Sequence, residues 1–106
     1  MKERAFIKKN NFYIFFLFFI SILINNHYAN LGVLPIDSFY HFDLGFKILK
    51  GMVPFSDIWM VSGLVNNYIQ ALFFYILGIN WFSYVLHASI FNCVITLSTY
   101  FLLKDF

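Results

Sequence analysis

Cysteine is almost missing from this chain, and charge is scarce. The single cysteine, Cys93, rules out an intrachain disulfide and any multi-cysteine metal site. Charged side chains make up 11% of the residues, against about 25% in an ordinary soluble domain, so too few polar groups exist to cover a globule in water. The net charge of +2 is small and its basic residues crowd the first ten positions, which leaves no basic face of the kind that tracks nucleic acid. There is no Gly-rich phosphate loop, no nucleophile elbow, no internal repeat and no Asn-x-Ser/Thr sequon. These absences speak against a cytoplasmic nucleotide-sugar enzyme.

What the chain has in quantity is apolar surface: 61% hydrophobic residues and a mean hydropathy of +0.76, the composition of a bilayer protein. Lys2, Arg4, Lys8 and Lys9 precede an apolar run over residues 12–24. A secretory signal peptide starts in the same way, but "NNHYAN" lacks the small-x-small cleavage pattern. The run alone makes about 20 Å of helix against a hydrocarbon core of about 30 Å. Letting Lys9 snorkel and carrying the helix on to Tyr28 supplies the missing turns. Further apolar runs follow over residues 64–79 and 82–103, joined by a "GIN" turn in which Gly78 reads as a helix C-cap. Lipid requires every backbone group to be paired, and the runs lack the alternation of a barrel strand.

The expectation is therefore an all-α membrane protein with three transmembrane helices, over about 10–28, 64–79 and 82–103, and an extracytoplasmic loop over about 29–63. The four leading basic residues put the N-terminus in the cytoplasm by the positive-inside rule. Lys104 dissents, because three crossings carry it outside. The abundance of Phe, Ile, Asn and Lys fits an AT-rich bacterial genome and hence the inner, or plasma, membrane.

Most of the internal charge lies in "DSFYHFDLGFKILKGMVPFSD", residues 37–57. Phe39, Phe42, Phe46 and Leu49 recur at helical spacing, Asp43 and Lys47 form an i,i+4 pair, Gly51 reads as C′ and Pro54 as a stop. This predicts an amphipathic helix over residues 38–50 lying in the interface, Phe stripe toward acyl chains and Lys47 and Lys50 toward headgroups. Locally, Asp37 reads as the N-cap of that helix and Asp57 as a turn residue beside Pro54 and Ser56. Two polar residues within the last apolar run, His87 and Asn92, read as pairs between helices, and a chain whose purpose is to bind other helices would do so through these and Asn66, Asn67 and Gln70.

The order of these elements resembles the start of the integral-membrane glycosyltransferases of the C superfamily, in particular the protein O-mannosyltransferase and aminoarabinose-transferase-like group. Asp37 matches the acid that opens their first extracytoplasmic loop. Gly51, Pro54, Phe55 and Asp57 match a Gly-x-x-Pro-aromatic-x-Asp turn, and Leu77, Gly78 and Asn80 match the end of the next helix. Family members have many more spans, so the chain reads as an N-terminal fragment, inactive alone.

The resemblance implies a sugar passed from a polyprenyl-phosphate donor to an extracytoplasmic acceptor. Asp37 would be the general base and Asp57 its support, with Tyr40, His41, Lys47 and Lys50 as substrate-binding residues. No metal spacing is present in the chain, and the resemblance leaves a divalent metal open for a whole enzyme. Implied partners are membrane lipid, the lipid-linked donor and further transmembrane helices of a parent chain, with no nucleic acid. The rival expectation is a small non-enzymatic membrane protein that packs against other helices as an accessory subunit.

Overall fold

The computed structural model describes residues 2–32 and 35–104, with side chains from 11–32 and 36–104. Its regular structure is helical throughout: α1 (Lys2–Leu31), α2 (Pro35–Leu49), α3 (Leu64–Leu77) and α4 (Trp81–Lys104). The all-α expectation holds. α1 starts earlier than expected because Lys, Glu, Arg and Ala before the apolar run are good helix formers.

Two of the three expected spans have the necessary length. Asn11–Leu31 of α1, with 21 residues, and α4, with 24, are long and apolar enough to cross a membrane. None of the α1 stretch is buried inside the protein, and Phe12, Phe15, Phe16, Phe18 and Phe19 all stand exposed. A helix that leaves this much apolar surface exposed, with α4 against one side of it, needs lipid or other helices as its solvent. α3 has 14 residues, about 21 Å by helical rise, and falls short of the roughly 30 Å of hydrocarbon that a span must cross.

α1 and α4 pack antiparallel. Ser21 faces Thr96, Asn25 bonds Ser89 and Asn92, and the Trp81 indole donates to the Ala29 carbonyl at 3.3 Å. As residue numbers rise along α1 they fall along α4. The C-terminal end of α1 thus lies beside the N-terminal end of α4; α3 folds back along the first turns of α4, with Gln70 and Phe73 against His87, and with α2 and the following loop it makes a cap around that end.

The cap is held by local chemistry that the sequence announces. Pro35 occupies the first turn of α2, where its missing N–H costs nothing. At the other end, Gly51 has φ 88 and donates to the Ile48 carbonyl at 2.9 Å, while Met52 donates to Lys47 at 3.1 Å. That paired pattern is a Schellman closure, which requires a left-handed residue and explains the glycine. Gly78, with φ 87, closes α3 by donating to the Phe74 carbonyl at 3.0 Å. After the turn the chain runs back along α2, burying Ile58 and Met60 against Leu44, with Tyr40 and Ile48 packed at the edge.

The α2–α3 contact depends on Gly45. A Cβ placed there would sit 2.6 Å from the Gln70 Cγ and 3.2 Å from a Phe74 ring carbon. Valine at this position should lower stability by about 1–3 kcal/mol, the usual cost of overpacking. The check is the midpoint of denaturation in mild detergent, and an unchanged midpoint would show that the two helices part without consequence.

Candidate functional site around α2

α2 carries the expected site residues, but it does not gather them. Asp37 lies in the first turn, inside the helix that Pro35 begins. It is therefore not the N-cap expected from sequence; proline starts the helix upstream and takes the terminus with it. The Asp37 carboxylate is exposed, and among the described residues it has no ion-pair partner. The nearest part of α4 is Tyr84, whose hydroxyl is influenced by Ser38 and, more weakly, by the charge of Asp37. Around this point Phe42 packs on Phe74 at 4.7 Å and on Tyr84 at 6.0 Å, and Trp81 stacks on Tyr84 at 5.0 Å. This aromatic collar sits where α1 ends and α4 begins. It also corrects the expected Phe stripe: Phe39 remains open, but Phe42 is covered by α3 and α4 rather than by acyl chains.

Asp57 is committed elsewhere. Its Oδ2 accepts the Val53 N–H at 2.8 Å, its Oδ1 accepts the Ser56 hydroxyl at 3.3 Å, and its own N–H donates to the Val53 carbonyl at 2.8 Å. These bonds close the turn in which Phe55 takes φ 66, a region that non-glycine residues enter only when their surroundings hold them there. The chain does fold back, but only from Ile58 onward, into the cluster that Leu44 makes with Ile58 and Met60. Asp57 therefore stays at the C-terminal end of α2, while Asp37 is some 16 Å away along the helix by its rise. The local reading of Asp57 as a turn residue accounts for its contacts, and the two acids do not share a site.

The remaining expected residues divide in the same way. Lys47 is bound to Asp43 at 2.6 Å, the i,i+4 pair anticipated from the spacing, with both side chains partly exposed. Lys50 lies over the Phe46 ring at 5.6 Å from its centre. Both lysines belong to the Asp57 end. The Tyr40 hydroxyl accepts the Val61 N–H at 2.7 Å and so pins the returning chain to α2. That hydrogen bond holds the phenol below its ordinary value, against a lesser opposing effect of desolvation.

His41 leads into a polar cluster at the centre of the cap. Asn67 is fully buried and donates to the Ser62 hydroxyl at 3.0 Å and the Gly63 carbonyl at 3.1 Å. A carbonyl only accepts, so the Asn67 amide orientation is fixed, and its Oδ1 must accept from His41 Nδ1 at 3.2 Å. Gln70 Oε1 and His87 Nδ1 meet at 2.5 Å between α3 and α4, while Gln70 Nε2 and His87 Nε2 are buried without a partner. The His87 ring rests against Phe73 and Phe91. Reading His87 and Asn92 as pairs between helices is borne out, with Gln70 and Asn25 as their partners, while Asn67 joins the start of its own helix to α2. The convergence of Asn67, Gln70 and His87 with His41 was not foreseen. The available signal was Asn67 and Gln70 at i,i+3 spacing, which puts both on one face of α3.

Among the described residues no group of three or more His, Cys, Asp or Glu could hold a metal ion. No protein-family model, curated protein or solved structure matches the chain.

Proposed function

We propose that this chain is an integral membrane unit of two crossings, α1 and α4, whose outer cap carries the acid of a glycosyltransferase using a polyprenyl-phosphate sugar donor. Two crossings replace the expected three for a geometric reason. The Trp81–Ala29 contact places the start of α4 beside the end of α1, so the segment between them crosses the bilayer an even number of times, here none. Lys104 then falls on the same side as Lys2, Arg4, Lys8 and Lys9. The residue that contradicts the positive-inside rule under three crossings supports it under two. The N-terminus is accordingly cytoplasmic, and the cap faces outward.

The observation that carries the functional reading is the open Asp37 carboxylate in the first turn of α2, the helix whose Phe42 joins Tyr84 and Trp81 in the aromatic collar. Trp and Tyr collect at headgroup depth, which is where a lipid-linked donor presents its phosphate while its tail stays in the hydrocarbon. A carboxylate there is placed to take the proton of an acceptor hydroxyl as the sugar transfers. Asp57 shapes the turn rather than assisting the chemistry, and Lys50 serves the headgroup region at the opposite end of α2. Two helices cannot enclose donor and acceptor and exclude water, so the chain acts as the N-terminal part of a larger helical body. The rival reading, an accessory subunit without chemistry, draws on the amide pairs that join α1 to α4 and α3 to α4.

Membranes containing the full open reading frame should transfer labelled sugar from a polyprenyl-phosphate donor to an extracytoplasmic acceptor. Liposomes containing these 106 residues alone should show insertion and no transfer. Absence of transfer by the full frame with both hexose and pentose donors, while the protein is inserted normally, would favour the accessory reading.

A further inference from the structure

One polar side chain in the middle of α4 has hydrogen-bonding groups that the chain does not use. The Ser89 hydroxyl donates to the Val85 carbonyl at 2.7 Å, so toward Asn25 it can only accept, and Asn25 Nδ2 donates to it at 2.8 Å. Asn25 must then turn its Oδ1 to Asn92, whose Nδ2 donates to it at 2.7 Å. Both amide orientations follow from this relay. It leaves the Asn92 Oδ1 and one of its N–H groups without a partner among the described residues, and the side chain is exposed. Asn92 stands in a groove of about 410 Å³ between α1 and α4, walled by Ile20, Ile24 and Ile95 and continued by Thr96.

Asn92 lies near the midpoint of the Trp81–Lys104 helix. With α4 across the bilayer, this is the depth at which neither water nor lipid can satisfy an amide. We propose that the groove is a self-association surface: two copies pack about a twofold axis along the membrane normal, and their Asn92 amides exchange hydrogen bonds. What is unmet is one acceptor and one donor of a single primary amide. Its complement is a second primary amide in the reverse direction, and the twofold axis supplies one at the same depth. A lipid chain fills the volume and leaves both groups unmet. The exposed Ile95 of each copy then enters the groove of the other. The inference rests on α4 lying in the bilayer and is independent of sugar transfer.

The test uses the full chain in native membranes and lipid vesicles. With Cys93→Ala as background, a cysteine at Ile95 should form an oxidative cross-link between copies. Fluorescence transfer between labelled copies, followed through lipid dilution, should show that Asn92→Leu raises the dimer dissociation constant at least about tenfold, in keeping with the loss of two interhelical hydrogen bonds. Because Asn92→Leu also cuts the bond to Asn25, Ile95→Trp provides a second block that leaves the amides intact, and it should weaken the dimer as well. A wild-type chain that stays monomeric at every dilution, variants that dimerise as well as wild type, or a cross-link only to a different protein overturns the proposal. Carbonate extraction of the same membranes separates the two failures. Protein released by carbonate overturns the membrane reading, whereas retained but monomeric protein overturns self-association alone.

Discussion

Replacing Asp37 with asparagine should lower sugar transfer by the full reading frame at least about 100-fold, within the usual range for losing a general base, while the amount of inserted protein stays normal. Asparagine is nearly isosteric with aspartate and keeps a hydrogen-bond acceptor in the first turn of α2. What it loses is the carboxylate charge. In structural terms that charge favours the positive end of the helix by about 0.3–1 kcal/mol at most on an exposed surface, too little to unfold a cap tied down by the Leu44 core and the Schellman closure at Gly51. In chemical terms its loss removes the carboxylate that the proposed function assigns to take a proton from an acceptor hydroxyl. The two consequences differ so much in size that abundance and turnover, measured on the same membranes, separate them. Asp57→Asn is the internal control. Its carboxylate closes a turn some 16 Å along α2, so that variant should alter the loop and leave most of the transfer rate. A full rate with Asp37→Asn would place the catalytic carboxylate outside these 106 residues and reduce Asp37 to a favourable charge on a helix end.

Much of the architecture is legible in the sequence because its signals are local. The apolar runs over residues 12–24 and 82–103 imply long helices by composition alone, and Gly51 and Gly78 mark helix ends because a left-handed residue is needed there. The Asp43–Lys47 pair follows from spacing. The start of α2 was misplaced because Asp37 is a good N-cap and Pro35 a good first residue, and the two signals compete over two positions. The site was less legible, since convergence depends on tertiary path. Whether Asp37 and Asp57 meet turns on where the chain reverses, and no residue type announces that the return begins at Ile58 rather than at Gly51. The third expected span is not shown, for a similar reason. Residues 64–79 are apolar enough to cross, but hydropathy does not report that Gly45, Phe42 and the Gln70–His87 contact hold this stretch against α2 and α4 at one end of the molecule.

The two-crossing arrangement decides whether the cap and Asp37 face a lipid-linked donor at all, and one labelling experiment tests it most directly. In a Cys93→Ala background, single cysteines are placed at Lys2, Ser56 and Lys104 and exposed in intact cells to a membrane-impermeant thiol reagent. The antiparallel packing of α1 on α4, with the basic residues of both ends inside, predicts that the cysteine at position 56 reacts and those at 2 and 104 react only after the cells are opened. Labelling at both 56 and 104 in intact cells would mean that α3 crosses the bilayer, which the Trp81–Ala29 contact does not allow, and the account would fail.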